Sequence, residues 1–435
     1  MENLIGDMAR SFGLPALKQA AGLVTRVVPI PQPLLMVGPG SSARLGQAIG
    51  AFGHRKLLLV SDAVVTRLGL MAPLTEALAA SGTPFVLFDA ITPDTPIDAV
   101  EKGIAQFNKE NCDAIVAFGG GSVMDAAKVI GLAAANGKHP RDLVGYFKGL
   151  HGPVPLYAVP ATAGTGSEVT VAAVVSDPEH GVKLVIADTR IVPDMAALDP
   201  CLMTGLPADI TAATGMDALT HAVEAYLGGW STPYTDRMAL AAVGMVYQYL
   251  PLACRDGANL QAREQMALAA CYAGLAFTRA NVGNVHAIAH QLGGRYHTPH
   301  GLANAIMLPG VLRFCAMASR ARLAMLARRA GVGMDGASEE QLAGRFLDSV
   351  DAMNAALGIP RHLAALRARD IPALARAACW EADANYPVPR RMTQADCEAL
   401  LRAVLPPAAA RQRTPRTPRT PAPPARPPRK PPGRR

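Results

Sequence analysis

Short apolar runs alternate with longer segments of helical spacing through the first half of the chain. The run at 34–37 ends in Gly38-Pro39-Gly40, and 41–52 follows with helical periodicity. Residues 56–61 (KLLLVS) form a strand candidate; 70–81 read as helix, 84–88 as extended chain and 97–108 as helix. The stretch 114–118 (AIVAF) has the continuous apolar character of a strand covered on both faces, and 125–135 returns to helix. This β-α-β-α order predicts a largely parallel, Rossmann-like sheet flanked by helices. After Leu206-Pro207 the pattern changes to long Ala-, Leu- and Met-rich segments at 210–226, 236–249, 262–277 and onward to about 405. Few β-branched runs interrupt them, so this half reads as all-helical. The expected organisation is an α/β domain at 1–205, a helical domain at 206–405 and a tail at 406–435.

Composition alters one part of this picture. The chain has 435 residues and a formal net charge of +8, but nine of its 42 Lys and Arg residues, and no acid, lie after 405. The remaining 33 basic residues face 34 acids, so the body is near neutral and carries no global signature of a nucleic-acid binder. The tail repeats Thr-Pro at 414, 417 and 420, is rich in Pro and Arg, and lacks the apolar residues for a core. An extended or disordered appendage is expected there. Seven dispersed cysteines without a C-x-x-C read as reduced thiols. No long apolar run suggests a membrane span, and Glu2, Asp7, Arg10 and Lys18 interrupt any signal-like stretch, so the expected location is the cytoplasm.

Two groups of residues carry candidate chemistry. Gly119-Gly120-Gly121-Ser122 follows the strand at 114–118 and precedes a helix. Glycines there let a pyrophosphate approach the backbone, and the helix offers free N–H groups and its positive dipole end. Ser122 is a candidate cap of that helix, and Asp125 lies one turn in. Asp62, 22 residues after Gly40, stands where an acid bonds the adenosine ribose and repels a 2′-phosphate, favouring NAD over NADP; an N-cap role is the plainer reading. Residues 160–168 (PATAGTGSE) form a second loop of small and hydroxyl residues after an apolar strand.

The second group is histidine-rich. Of ten histidines, five fall between His221 and His300. Asp217 and His221 are four apart on a predicted helix, which puts them on one face roughly 6 Å apart. His286 and His290 repeat that spacing, and His300 follows Pro299 in an expected turn. One carboxylate with several imidazoles suits Fe(II) or Zn(II). His297 is placed in a loop and excluded from the ligands.

Together these segments resemble the iron-containing, or group III, alcohol dehydrogenase family. The similarity runs from about Val37 to about Leu405 and rests on 119–128 (GGGSVMDAAK), 160–170 (PATAGTGSEVT), 215–226 (GMDALTHAVEAY) and 286–309 (HAIAHQLGGRYHTPHGLANAIMLP). The resemblance implies a dehydroquinate-synthase-like fold with the active site between an α/β and a helical part. It implies metal ligation by Asp217, His221, His286 and His300, and a proton-relay role for His290. It also implies cofactor contacts at Asp62, Gly119, Gly120, Gly121, Ser122, Asp125, Thr162, Thr165 and Lys183, and a substrate-side position for Phe277. The activity implied is NAD-dependent interconversion of a small alcohol and its aldehyde, with Fe2+ or Zn2+, in a homodimer or larger homo-oligomer without nucleic-acid or membrane partners. A zinc-dependent polyol or glycerol dehydrogenase is the nearest alternative, and a metal-dependent hydrolase one of a different class. Ala161 and Val123 depart from the family, which often has Thr and Pro there.

Overall fold

The computed structural model describes residues 28–179 and 182–407, together with Gly22. Two expectations fall largely outside them: the absence of a signal segment at 1–23, and the coreless tail from 408 onward. The described residues up to Leu405 belong to one compact unit.

The N-terminal strands are β1 (Leu34–Val37), β2 (Leu57–Val60), β3 (Phe85–Phe88), β4 (Ala114–Gly119), β5 (Gly145–Tyr146), β6 (Leu156–Pro160), β7 (Ala172–Asp177), β8 (Val182–Ala187) and β9 (Met195–Leu198). Six of them make an all-parallel sheet in the order β1-β9-β6-β4-β2-β3. Helices α1 (Ser41–Gly50), α2 (Ala63–Arg67), α3 (Ala72–Ala80), α4 (Ile97–Lys109) and α5 (Gly121–Asn136) connect the early strands. The sheet is covered on both faces, which is why its strands are apolar throughout rather than alternating. Leu58, Val60, Ile115 and Ala117 pack with Val100, Phe107, Val129 and Ile130 of α4 and α5. Leu57, Leu59, Val116 and Phe118 pack with Leu45, Ile49, Leu74 and Leu78 of α1 and α3. Each such fully buried aliphatic side chain stabilises the fold by about 1.5–3 kcal/mol relative to exposure.

A second, three-stranded sheet, β5-β8-β7, was not foreseen. Strands β7 and β8 are an antiparallel pair registered from Ala172 opposite Ala187 to Asp177 opposite Val182. In β7 only alternate residues are fully buried, yet its sequence AAVVSD shows no apolar–polar alternation. The one-sided burial therefore leaves no trace in the pattern of residue types.

The second half is helical: α6 (Ala208–Leu227), α7 (Pro233–Arg255), α8 (Leu260–Ala280), α9 (Asn284–Tyr296), α10 (His300–Cys315), α11 (Arg320–Arg329), α12 (Glu339–Ala356), α13 (Ile371–Asn385) and α14 (Gln394–Ala403). Helix α6 is buried all round from Gly215 to Leu227, so any polar side chain on that stretch lies in the interior. No described helix is long and apolar enough to cross a membrane.

Candidate metal centre and cofactor cleft

The C-terminal ends of β2, β4 and β6 lie side by side, with Val60 opposite Ala117 and Gly119 opposite Pro160. The chain runs outward from β2 to β3 and then crosses back to β4, making this a topological switch point of the sheet. Parallel α/β sheets bind ligands in the crevice beyond such a point. Three predicted segments converge there: Asp62 after β2, Gly119–Ser122 after β4 and Thr162–Thr165 after β6. The Ser61 hydroxyl donates to Phe118 O at 2.8 Å, tying the first two ends together.

The glycine turn is shaped by its neighbours. A Cβ on Gly121 would lie 2.6 Å from Thr165 Cγ2, and one on Gly120 would lie 3.6 Å from Thr162 Oγ1. Helix α5 starts earlier than the sequence suggests, at Gly121 and not at Asp125. Its N-cap is Gly120, in extended conformation, and no side chain caps it. Ser122 is therefore not the cap; it is the second helical residue, because the chain turns straight from the strand into the helix at Gly120. The first amides of α5 are left without side-chain acceptors, which is the arrangement that favours an anion.

Asp62 is the N-cap of α2, its Oδ1 accepting from Val64 N at 2.8 Å and Val65 N at 3.0 Å. Oδ2 takes no hydrogen bond among the described residues, so capping and a ribose contact are compatible. Asp125 is different. Its Oδ1 accepts from Ser167 Oγ at 2.8 Å and its Oδ2 from Val174 N at 2.9 Å, which makes it a tether from α5 to the loop after β6 and to strand β7. Burial raises its pKa, against the pull of Lys128. Lys128 completes the tether: its buried ammonium reaches Ser167 Oγ, Thr170 O, Thr170 Oγ1 and Ala172 O at 2.8–3.0 Å. Lys183 pairs with Asp94 at 3.0 Å, and a Cβ on Gly293 of α9 would lie 3.6 Å from its ammonium.

The same crevice is closed by helices. The loop after β6 lies against α6: a Cβ on Gly164 would meet Thr214 backbone and side chain at 2.8–3.1 Å, three residues before Asp217. Asp217 and His221 from α6, His286 from α9 and His300 from α10 each offer one ligand atom, and these atoms all lie within 4.8 Å of one another. His300 opens α10 instead of lying in a turn, because Pro299 takes the N-cap position and the chain enters the helix directly. Gly301 makes the approach possible: a Cβ there would lie 2.4 Å from Ala213 O and 3.2 Å from Asp217 Cβ.

Burial holds the imidazoles neutral, the form that ligates metals. Desolvation lowers the pKa of His221 and His286, and brings His300 down to about 4 against the pull of Asp217. His221 Nδ1 is buried without a hydrogen-bond partner. The Asn304 amide nitrogen faces Asp217 Oδ1 at 2.7 Å, His286 Nε2 at 3.1 Å and His300 Nε2 at 3.2 Å. Two N–H groups thus meet three acceptors, with an orphaned imidazole nitrogen beside them. This surplus of acceptors around one carboxylate fits a divalent cation.

His290 lies next to the cluster, its ring stacked 5.4 Å from that of His300. Phe277 of α8 stacks on His221 at 4.3 Å and supplies an apolar wall. His297 caps α9 at its C-terminal end, is exposed and stands apart from the cluster.

Three residues at the site were missed in the sequence. Glu224 accepts from His286 Nδ1 at 2.6 Å and from the Val285 and Gly283 amides at 2.7 and 2.9 Å. It fixes the tautomer that directs His286 Nε2 inward, as carboxylates behind ligating histidines do. Its position, three residues after His221 and seven after Asp217, places it on the same helical face, and that spacing was a readable signal. Asn304, four residues after His300, was readable in the same way. Glu381 had no such signal.

Comparisons with known proteins show the family of the chain. Residues 33–200 match the family described as iron-containing alcohol dehydrogenase, and residues 211–405 match the C-terminal part of the Fe-containing alcohol dehydrogenase family. The chain is 38% identical to NAD-dependent methanol dehydrogenase of Bacillus methanolicus over 375 residues, 86% of this chain and 98% of that protein. It is 40% identical to 1,3-propanediol dehydrogenase of Klebsiella pneumoniae over 372 residues, 84% of this chain and 95% of that one. The crystal structure of a 1,3-propanediol oxidoreductase superposes with a TM-score of 0.83 at 37% identity, covering 87% of this chain and 100% of the other.

Proposed function

Since the chain belongs to the iron-containing alcohol dehydrogenase family, we propose that it interconverts a small alcohol and its aldehyde, using NAD and one divalent metal ion held by Asp217, His221, His286 and His300. The observation that carries this reading is the convergence of those four ligand atoms on helices abutting the loop after β6. Iron is the ion the family description points to, and the mixed carboxylate–imidazole donors accept zinc as well.

A bound divalent ion supplies Lewis-acid polarisation of the substrate oxygen, and the nicotinamide supplies the hydride acceptor or donor. The chain does the rest. The uncapped amides of α5 and the glycine turn hold the pyrophosphate, while Asp62 receives the adenosine ribose. Thr162 and Thr165 offer hydroxyls on the nicotinamide side, and Lys183 a positive charge at the same rim. Phe277 and the buried face of α6 keep water from the reacting carbon. His290 is the proton relay: its Nδ1 is bonded to Glu381, and Nε2 takes or returns the substrate proton.

Four measurements test the reading. Protein stripped of metal should lose NADH oxidation with an aldehyde panel and regain it with Fe2+ or Zn2+; activity untouched by stripping would exclude a metal role. NADH fluorescence titration should show saturable binding, and its absence would favour a metal-dependent hydrolase. Asp62→Gly should relax the preference for NAD over NADP by about tenfold or more, the loss of a favourable ribose contact and of repulsion toward a 2′-phosphate. Glycine is a tolerated N-cap, costing only a few tenths of a kcal/mol, so the fold should be undisturbed. Unchanged selectivity in that variant would leave Asp62 with the capping role alone. Deleting 406–435 should leave turnover within about twofold, because no residue of the site lies beyond Tyr386; a large loss would give the tail a part in the enzyme.

A further inference from the structure

The relay histidine has a carboxylate behind it that belongs to none of the motif segments. Glu381 lies on α13, 91 residues after His290. Its Oε1 accepts from His290 Nδ1 at 2.6 Å and from the Tyr386 hydroxyl at 2.6 Å, and its Oε2 accepts from Gln291 Nε2 at 2.7 Å. His290 and Glu381 side chains are mostly buried, at 16% and 17% exposure. Burial alone would raise the Glu381 pKa, but the neighbouring His290 and the hydrogen bonds from His290, Tyr386 and Gln291 outweigh it and hold the carboxyl below its ordinary range.

The bonding has a direction. Gln291 and Tyr386 hold the carboxylate from two further sides, and the Tyr386 hydroxyl also lies 3.5 Å from His290 Nδ1. Only the Nδ1–H tautomer can then donate to it, and Nε2, across the ring, is left as the nitrogen that exchanges protons.

We propose that Glu381 is a positioning residue for the proton relay: it sets the tautomer and ring orientation of His290, so that Nε2 is the nitrogen presented for proton exchange. The assignment rests on His290 being the relay. It gives a task to a residue of α13, a helix that supplies none of the four proposed metal ligands.

The experiment is a double-mutant cycle on the metal-loaded enzyme, with metal content, NADH affinity and melting temperature measured alongside kcat and KM. His290→Gln should lower kcat by about 10²–10⁴-fold, the range for a lost general acid–base group. Glu381→Gln should lower kcat by about 10–100-fold with unchanged metal content and NADH affinity, since the amide loses the charge and cannot satisfy all three donors. In the His290→Gln background, Glu381→Gln should cause no further loss, because its effect passes through His290. Equal losses in both backgrounds, or metal lost in step with activity, would overturn the assignment in favour of a structural cross-link. Should Glu381→Gln fail to fold, Glu381→Asp, which keeps the charge and shortens the reach, is read through the same cycle. A fully active His290→Gln enzyme would sink the relay itself, whereas an active Glu381→Gln beside an inactive His290→Gln sinks only the role of Glu381.

Discussion

The His300→Ala protein, purified without added metal, should retain less than about one hundredth of the wild-type affinity for its ion and no measurable turnover, while melting close to the wild type. Losing even an outer hydrogen-bonding partner of a ligand costs about 10–100-fold in metal affinity or activity, so losing a ligand outright should exceed that. The fold should tolerate the change because of where His300 stands. It is the first residue of α10, its side chain is 32% exposed, and alanine is the best helix former. Asn304 keeps its bond to Asp217 at 2.7 Å, so no buried acceptor is stranded there. His286→Ala should lose the ion as completely but should also destabilise, by about 1–3 kcal/mol, because Glu224 then loses one of three donors in the interior. Elemental analysis with thermal melts separates the two. Metal retained in both variants would remove these residues from the ligand set.

The second large effect belongs to the opposite wall of the crevice. Gly121→Val should weaken NADH binding by about 100-fold with metal content unchanged. The added Cβ would meet Thr165 Cγ2 at 2.6 Å, well inside van der Waals contact, and Thr165 Oγ1 at 3.2 Å. Thr165 must then move, breaking the acceptance of the Ser167 amide at 3.3 Å that shapes the loop after β6. The valine branches would also stand before the first amides of α5. Two lost hydrogen bonds to a charged phosphate, at about 1.5–3 kcal/mol each, account for the magnitude. Fluorescence titration measures it; wild-type affinity in this variant would mean that the pyrophosphate does not lie on the glycine turn.

Legibility in the sequence followed burial. Strands covered on both faces read directly: the run AIVAF at 114–118 is β4, extended by Gly119. The start of α5 did not read, because glycines at 119–121 suggest a turn, whereas Gly121 is already helical and the helix simply goes uncapped. His300 was expected in a turn for a related reason, since Pro299 and Gly301 are turn formers; here one precedes a helix and the other admits α6 at close range. The β5-β8-β7 sheet left no pattern, being two residues long in one strand and half-buried in another. In the site itself, the helical spacing of Asp217 with His221 and of His286 with His290 was visible; Glu224, on the same face as Asp217 and His221, was missed although its spacing carried the same signal. Glu381 was invisible, because its relation to His290 exists only through the packing of α13 on α9. A periodicity argument reaches one helix; partners supplied by a distant helix need the tertiary structure.

Anomalous diffraction at the iron edge, from crystals of the natively loaded enzyme grown with NAD, tests the central claim most directly. The account predicts a single strong peak about 2.0–2.2 Å from one atom each of Asp217, His221, His286 and His300, with the nicotinamide ring facing it. A peak elsewhere, or a dinucleotide bound away from the ends of β2, β4 and β6, would contradict it.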